Sequence, residues 1–363
     1  MAANESLVYF GTYTGGKSKG IYVSRFDADR GKLSAPELAA EAKNPTFLCL
    51  HTNGQILYAV AELGQFEGKP AGGVSAFRIQ EGSGKLVLLN QQPSGGTGPC
   101  HLDLDKSGQC LLVANYGSGS IAAFPIEADG KIGEAKTKIQ HAGSSVDKNR
   151  QTGPHAHFIS TDAANRFALV CDLGLDKVLV YKIDPARSLL ETNDPAFVSI
   201  KAGAGPRHVA FHPDGAKVYV VNEMGSSLTA LEYDAKRGAM KELQTISTLP
   251  ENFAGHNSGA EVQVHPSGRF VYASNRGHNS IAVFAVDGES GKVKPVDHVW
   301  THGTTPRHFG IDPTGKWLLA ENQDADNVVV FKIDLETGRL APTGQTVEVG
   351  RPVCAVFAPA GRK

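Results

Sequence analysis

Arg207 and Glu223 stand eight residues on either side of Gly215 in the chain. A guanidinium and a carboxylate set at matching distances from a turn can form an ion pair, hold a water, or grip an anion through the bidentate fork of the Arg. The Pro213-Asp214-Gly215 turn lies between two short alternating apolar runs, which predicts a β-hairpin. In a regular hairpin the two charged side chains are cross-strand neighbours at the open end. What positions them is therefore the hairpin and whatever the hairpin is part of.

The hairpin recurs. Its first strand opens at Asn44-Pro45, Gly98-Pro99, Gly153-Pro154, Gly205-Pro206, Gly259-Ala260, Thr305-Pro306 and Arg351-Pro352, at separations of 54, 55, 52, 54, 46 and 46 residues. A period near 50 is in the range of propeller blades. A second marker keeps the same count. A third strand ends at a polar residue and a Gly turn follows, as in Phe26-Asp27 with Gly31, Ile79-Gln80 with Gly84, and Ile333-Asp334 with Gly338. Leu7-Val8-Tyr9-Phe10 matches a second strand with no first strand before it, and Pro352–Phe357 matches a first strand with no second after it. A blade shared by the two ends removes both exposed edges. The expectation is an all-β, seven-bladed propeller of four-stranded blades over residues 1–363, one domain.

Composition agrees with this and removes several function classes. Lys and Arg total 36 against 37 Asp and Glu, so the net charge is −1 and offers nothing to draw nucleic acid or an anionic membrane. No apolar run approaches the length of a membrane helix. The five cysteines are odd in number and scattered, which favours free thiols in a reducing compartment. The first residues carry no basic segment and no apolar stretch, so a cytoplasmic protein is expected, with an exported form whose leader has been trimmed as the alternative. A monomer or weak homo-oligomer is expected.

In a propeller the start of each first strand and the end of each second strand lie on one face, because the turn between them lies on the other. Residues just after each Pro therefore converge with those closing the second strands. The first group holds Cys100-His101, His155-Ala156-His157, Arg207-His208, Glu261 and Arg307-His308. The second holds Asn115-Tyr116, Asp172-Leu173, Asn222-Glu223, Asn275-Arg276 and Asn322-Gln323, with Glu321 just before. Many cations with few carboxylates at one mouth predict a small anionic ligand. The repeated Asn column is expected to satisfy strand ends, and His101, His208 and His308 to pack between blades. His212 and His265, on the opposite face, are expected to be exposed. Arg207, Glu223, Arg276 and His157 break the repetition of their columns. His155-x-His157 puts two imidazoles on one strand face, but no third ligand follows at a metal-binding spacing. No metal and no cofactor are expected. Two insertions, at residues 62–73 and 143–153, read as loops over one face.

Gly11-Thr12-Tyr13-Thr14, Gly153-Pro154-His155-Ala156-His157, Gly205-Pro206-Arg207-His208, Asn222-Glu223 and Ser274-Asn275-Arg276 resemble the seven-bladed lactonase family. That family includes bacterial 6-phosphogluconolactonases and fungal enzymes that lactonise 3-carboxymuconate. The resemblance covers nearly the whole chain. It implies a catalytic set of His157, Arg207, Glu223 and Arg276, with His155 as the competing choice for the His. It implies opening of 6-phospho-glucono-1,5-lactone without a metal.

On that reading His157 is the general base and Glu223 its orienter. Arg207 or Arg276 holds the oxyanion, and the remaining Arg holds phosphate with Arg307. His155, His308 and Asn275 complete the substrate contacts. The alternatives are a cyclase for a carboxylated muconate, using the four residues in the reverse sense, and a propeller binding module whose channel charges are structural.

Overall fold

The structure, a computed structural model, describes residues 5–360. Seven antiparallel sheets follow one another, each a meander of four strands in chain order. The seventh is composite: Pro352–Pro359 pairs with Glu5–Thr12, from Ser6 opposite Pro359 to Thr12 opposite Pro352. Its outer edge is split into Lys32–Leu33 and Glu37–Glu41. The first strands are Leu48–Leu50, Pro99–Leu104, Ala156–Thr161, Pro206–Phe211, Ser258–Val264, Pro306–Ile311 and Pro352–Pro359. Each touches the first strand of the next blade and the last touches the first, so the ring is closed around a central channel.

Second strands such as Cys110–Asn115 and Trp317–Asn322 are buried along their whole length. They carry apolar residues on both faces because each face meets a different blade. Val8 and Phe10 pack towards Trp317 and Leu319 on one side, while Leu7 and Tyr9 pack towards Leu48 and Leu57 on the other. Seven apolar clusters fill the seven interfaces between blades.

Four of these interfaces also carry the same polar lock. A buried Tyr from a second strand donates its hydroxyl to a Gly carbonyl in the next blade's outer turn: Tyr9 to Gly84 at 2.8 Å, Tyr58 to Gly130 at 3.0 Å, Tyr219 to Gly291 at 3.0 Å and Tyr272 to Gly338 at 2.8 Å. The glycine at Gly338 is required twice over. Its φ is +73°, and a Cβ there would come within 2.4 Å of the Phe270 ring.

The opposite face differs from expectation at His265. Its side chain is buried, with Nε2 2.8 Å from the Gly315 carbonyl of the next blade. His212 makes the equivalent contact with Gly268 at 2.9 Å. A histidine after the first strand is the right length to close the turn of the adjacent blade, so these rings are structural ties.

Candidate active site

The hairpin that carries Arg207 and Glu223 is not regular. Pro206 pairs with Asn222 and His208 with Val221, leaving Arg207 as an extra residue without a partner. The same slip occurs at Cys100, His157, Arg307 and Val353, and between Gly259 and Val262. A β-bulge re-aims the unpaired side chain, and here it does so at the same place in six of seven blades. The residues lifted out of register include three that the sequence singled out: His157, Arg207 and Arg307.

Glu223 is the hub of the site. Its Oε2 lies 2.8 Å from Arg276 Nη2 and 3.2 Å from Arg207 Nε, and its Oε1 accepts from Arg150 Nη2 at 2.7 Å. Both buried arginines are steadied by backbone: Arg207 Nη1 donates to Ala260 O at 2.6 Å and Arg276 Nη2 to Gly259 O at 2.9 Å. Burial alone would raise the Glu223 carboxyl, but Arg276, Arg207, His157 and the Arg150 hydrogen bond outweigh it and hold it well below the usual range. Glu223 is a carboxylate at any working pH. Burial and the charges of Arg307 and Arg276 pull Arg207 down to about 9, which leaves it charged at neutrality.

His157 has the opposite character. Burial and then the Arg207 and Arg307 charges push its imidazolium well below the ordinary range, against the pull of Glu223. It is a neutral imidazole, and its buried Nδ1 has no hydrogen-bond partner. His155 lies nearer the rim, stacked on Tyr116 at 4.5 Å with Nδ1 donating to the Tyr116 carbonyl at 3.0 Å. Of the two, His157 is the ring within reach of the Arg–Glu cluster.

Arg307 is held differently from the other guanidinium groups. It lies 5.6 Å over the Tyr13 ring and, among the described residues, makes no hydrogen bond or ion pair. The exposed Arg351 covers the same ring at 5.2 Å. Tyr13 in turn donates to Glu62 at 2.9 Å, and Thr46 Oγ1 donates to Glu62 Oε2 at 2.6 Å.

Two expected contacts are corrected. Asn275 is wholly buried, its oxygen taken by Thr248 and Asn257 and its amide by Thr248 O and Ser280. It ties a strand end, as the rest of its column does, and has nothing left for a ligand. His308 sits one residue beyond the bulge, in a layer with the buried His101, Phe158, His208 and Glu261 and the partly buried Phe47. Its Nδ1 is bound to Glu321 at 2.8 Å. This layer forms the floor of the site, beneath the residues a substrate would touch.

Residues 7–357 match the family described as lactonase, 7-bladed beta-propeller. The chain belongs to that lactonase family. It is 40% identical over 349 residues to a 6-phosphogluconolactonase of Bacillus subtilis, covering 96% of this chain and 97% of the relative. A 6-phosphogluconolactonase of Formosa agariphila is 33% identical, covering 84% of this chain and 86% of the relative. Among solved structures, the periplasmic gluconolactonase of Pseudomonas aeruginosa superposes with a TM-score of 0.93 at 33% identity, covering 98% of this chain and all (100%) of that one.

Within this lactonase scaffold two residues of the mouth escape the motifs. Glu62 stands seventeen residues after Pro45, the spacing that separates Glu223 from Pro206, so counting from each Pro would have found it. Arg150 comes from the 143–153 insertion, where nothing repeats and no spacing could have marked it. With Arg150, Arg207, Arg276 and Arg307 against Glu62 and Glu223, the mouth holds four guanidinium groups and two carboxylates. That balance suits an anion.

Proposed function

We propose that this lactonase opens 6-phospho-glucono-1,5-lactone to 6-phosphogluconate, without a metal ion. The observation that carries the reading is the neutral, unpartnered His157 beside the charged Arg207 in a mouth with excess positive charge. The neutral ring takes a proton from water as the water oxygen attacks C1. The carbonyl electrons move onto the oxygen, and Arg207, whose Nη2 makes no hydrogen bond to protein among the described residues, stabilises that charge. The intermediate then collapses with cleavage of the bond between C1 and the ring oxygen. The proton held by His157 passes to the departing oxygen, which becomes the hydroxyl of the open chain.

Both oxygens of Glu223 are taken by arginines, and its place is to orient water and hold those arginines. Arg276 pins Glu223, and Arg307 faces the phosphate. Among the described residues no group of three or more His, Cys, Asp or Glu is placed to hold a metal ion.

The test is hydrolysis of freshly prepared 6-phosphogluconolactone with EDTA present, corrected for spontaneous opening. Saturable turnover that EDTA leaves unchanged is expected. Loss of turnover with EDTA would overturn metal independence, and turnover of 3-carboxymuconate in place of the lactone would overturn the substrate.

A further inference from the structure

The 143–153 insertion brings one side chain into the mouth, and its backbone is fixed while that side chain is exposed. Asp147 Oδ1 accepts the N–H groups of Asn149 and Arg150 at 2.8 and 2.9 Å, and the Gln151 N–H donates to Asp147 O at 3.0 Å. Gln151 is fully buried and donates Nε2 to Leu173 O at 2.8 Å, while Ser145 Oγ donates to Asp176 at 2.6 Å. Arg150 between these anchors has a side chain 45% exposed. Only its Nη2 is used, shared by Glu223 Oε1 at 2.7 Å and Tyr116 Oη at 3.1 Å. Nε and Nη1 make no hydrogen bond among the described residues.

Glu223 does not depend on this contact, because its other oxygen is held by two buried arginines. Glu223 is buried and only the Arg150 side of the pair is exposed, so this is the member of the set that an incoming dianion can reach. Arg307 makes no hydrogen bond or ion pair among the described residues, so all of its donors are open. Arg150 bonds Glu223 directly, and Arg307 is lifted into the same mouth by the slip that re-aims Arg207.

We propose that Arg150 and Arg307 form the subsite for a phosphoryl group, with Arg150 leaving Glu223 to bind it. Arg150 then sets the preference for phosphorylated over unphosphorylated lactones. The exchange also frees Glu223 Oε1, so an oxygen that Arg150 caps becomes an acceptor for the attacking water once the phosphoryl group has bound. This rests on the lactonase reading above and adds to it the residue that reads the phosphate.

The experiment compares kcat/KM for 6-phosphogluconolactone and glucono-1,5-lactone in the wild type, R150Q and R150K. The ratio between the two lactones is expected to fall about 10- to 100-fold in R150Q, mainly through KM, the range for losing charged hydrogen bonds. R150K should recover part of it. An equal loss on both lactones, or an unchanged ratio, would overturn the subsite. Wild-type protein that opens neither lactone would sink the lactonase reading instead. Calorimetry with inorganic phosphate then decides the subsite alone: binding weakened about tenfold or more in R150Q supports it, and equal binding overturns it.

Discussion

Arg207 Nε lies 3.2 Å from Glu223 Oε2 even though the two residues are not paired across their hairpin. The bulge at Arg207 makes the contact. Without the extra residue, Arg207 would follow the alternation of its strand and point into a blade interface. The recurrent slip thus converts a packing position into a functional one, blade by blade, without altering the second strands that hold the ring together.

Replacing His157 tests the base. His157→Gln should lower kcat for the lactone about 10²- to 10⁴-fold with KM little changed. The buried Nδ1 has no partner to lose, so thermal stability should move little. Near-normal turnover would remove His157 from the mechanism.

Glu223→Gln leaves two buried arginines without their counter-charge. Breaking a buried pair from one side costs about 3–5 kcal/mol, to be read as a shift in the urea midpoint at unchanged slope. A variant as stable as the wild type would show that Arg207 and Arg276 are satisfied by their backbone carbonyls and by water.

Buried histidines in and beneath the site make stability depend on pH. Burial is the main cause that depresses His101, His157 and His208 well below the usual imidazole range. The unfolded chain takes up a proton at each below about pH 6.5 and the folded chain does not. Stability from each group is therefore complete above that pH and lost as the pH falls, by about 1.4 kcal/mol per unit. Buried Glu321 and Glu261 are shifted up and act with the opposite sign, since the folded form keeps protons that the unfolded form releases. His101→Phe isolates one contribution, because Phe47 and Phe158 already fill the same layer. Its unfolding free energy between pH 6 and 5 should fall less steeply than that of the wild type by about 1.4 kcal/mol per unit. An unchanged slope would mean that His101 is protonated in the folded protein.

The Tyr locks should act on stability alone. Tyr272→Phe leaves the Gly338 carbonyl without its donor and should cost about 1–3 kcal/mol with catalytic constants unchanged. Tyr58→Phe lies in a different interface, and the double variant should show the sum of the two losses. A change in kcat for either would contradict the separation of these interfaces from the mouth.

The propeller was readable because a blade repeats and its marks recur with it. Pro at the first strand, Gly at the outer turn and an apolar second strand each have a local physical cause. The site was readable only where a residue broke that repetition. Arg207, Glu223, Arg276 and His157 stood out against their columns, and the structure brings them together. Asn275 followed its column and proved to be a strand tie, and His308 proved to be part of the floor with His101 and His208. Glu62 was masked by its place at the start of an insertion. Arg150 reaches the mouth through the tertiary path of a loop, which no periodicity encodes.

The pairing of Glu5–Thr12 with Pro352–Pro359 has a consequence for synthesis. As the chain emerges from the ribosome, Glu5–Thr12 has one edge unmatched while six further blades are made. Arg307 is in place only after five of those blades, and the ring around it closes only when residues 352–359 arrive. A partly made chain therefore has an open sheet edge and no finished mouth. Catalytic competence and protection from edge-to-edge aggregation are acquired together, in a single late docking step.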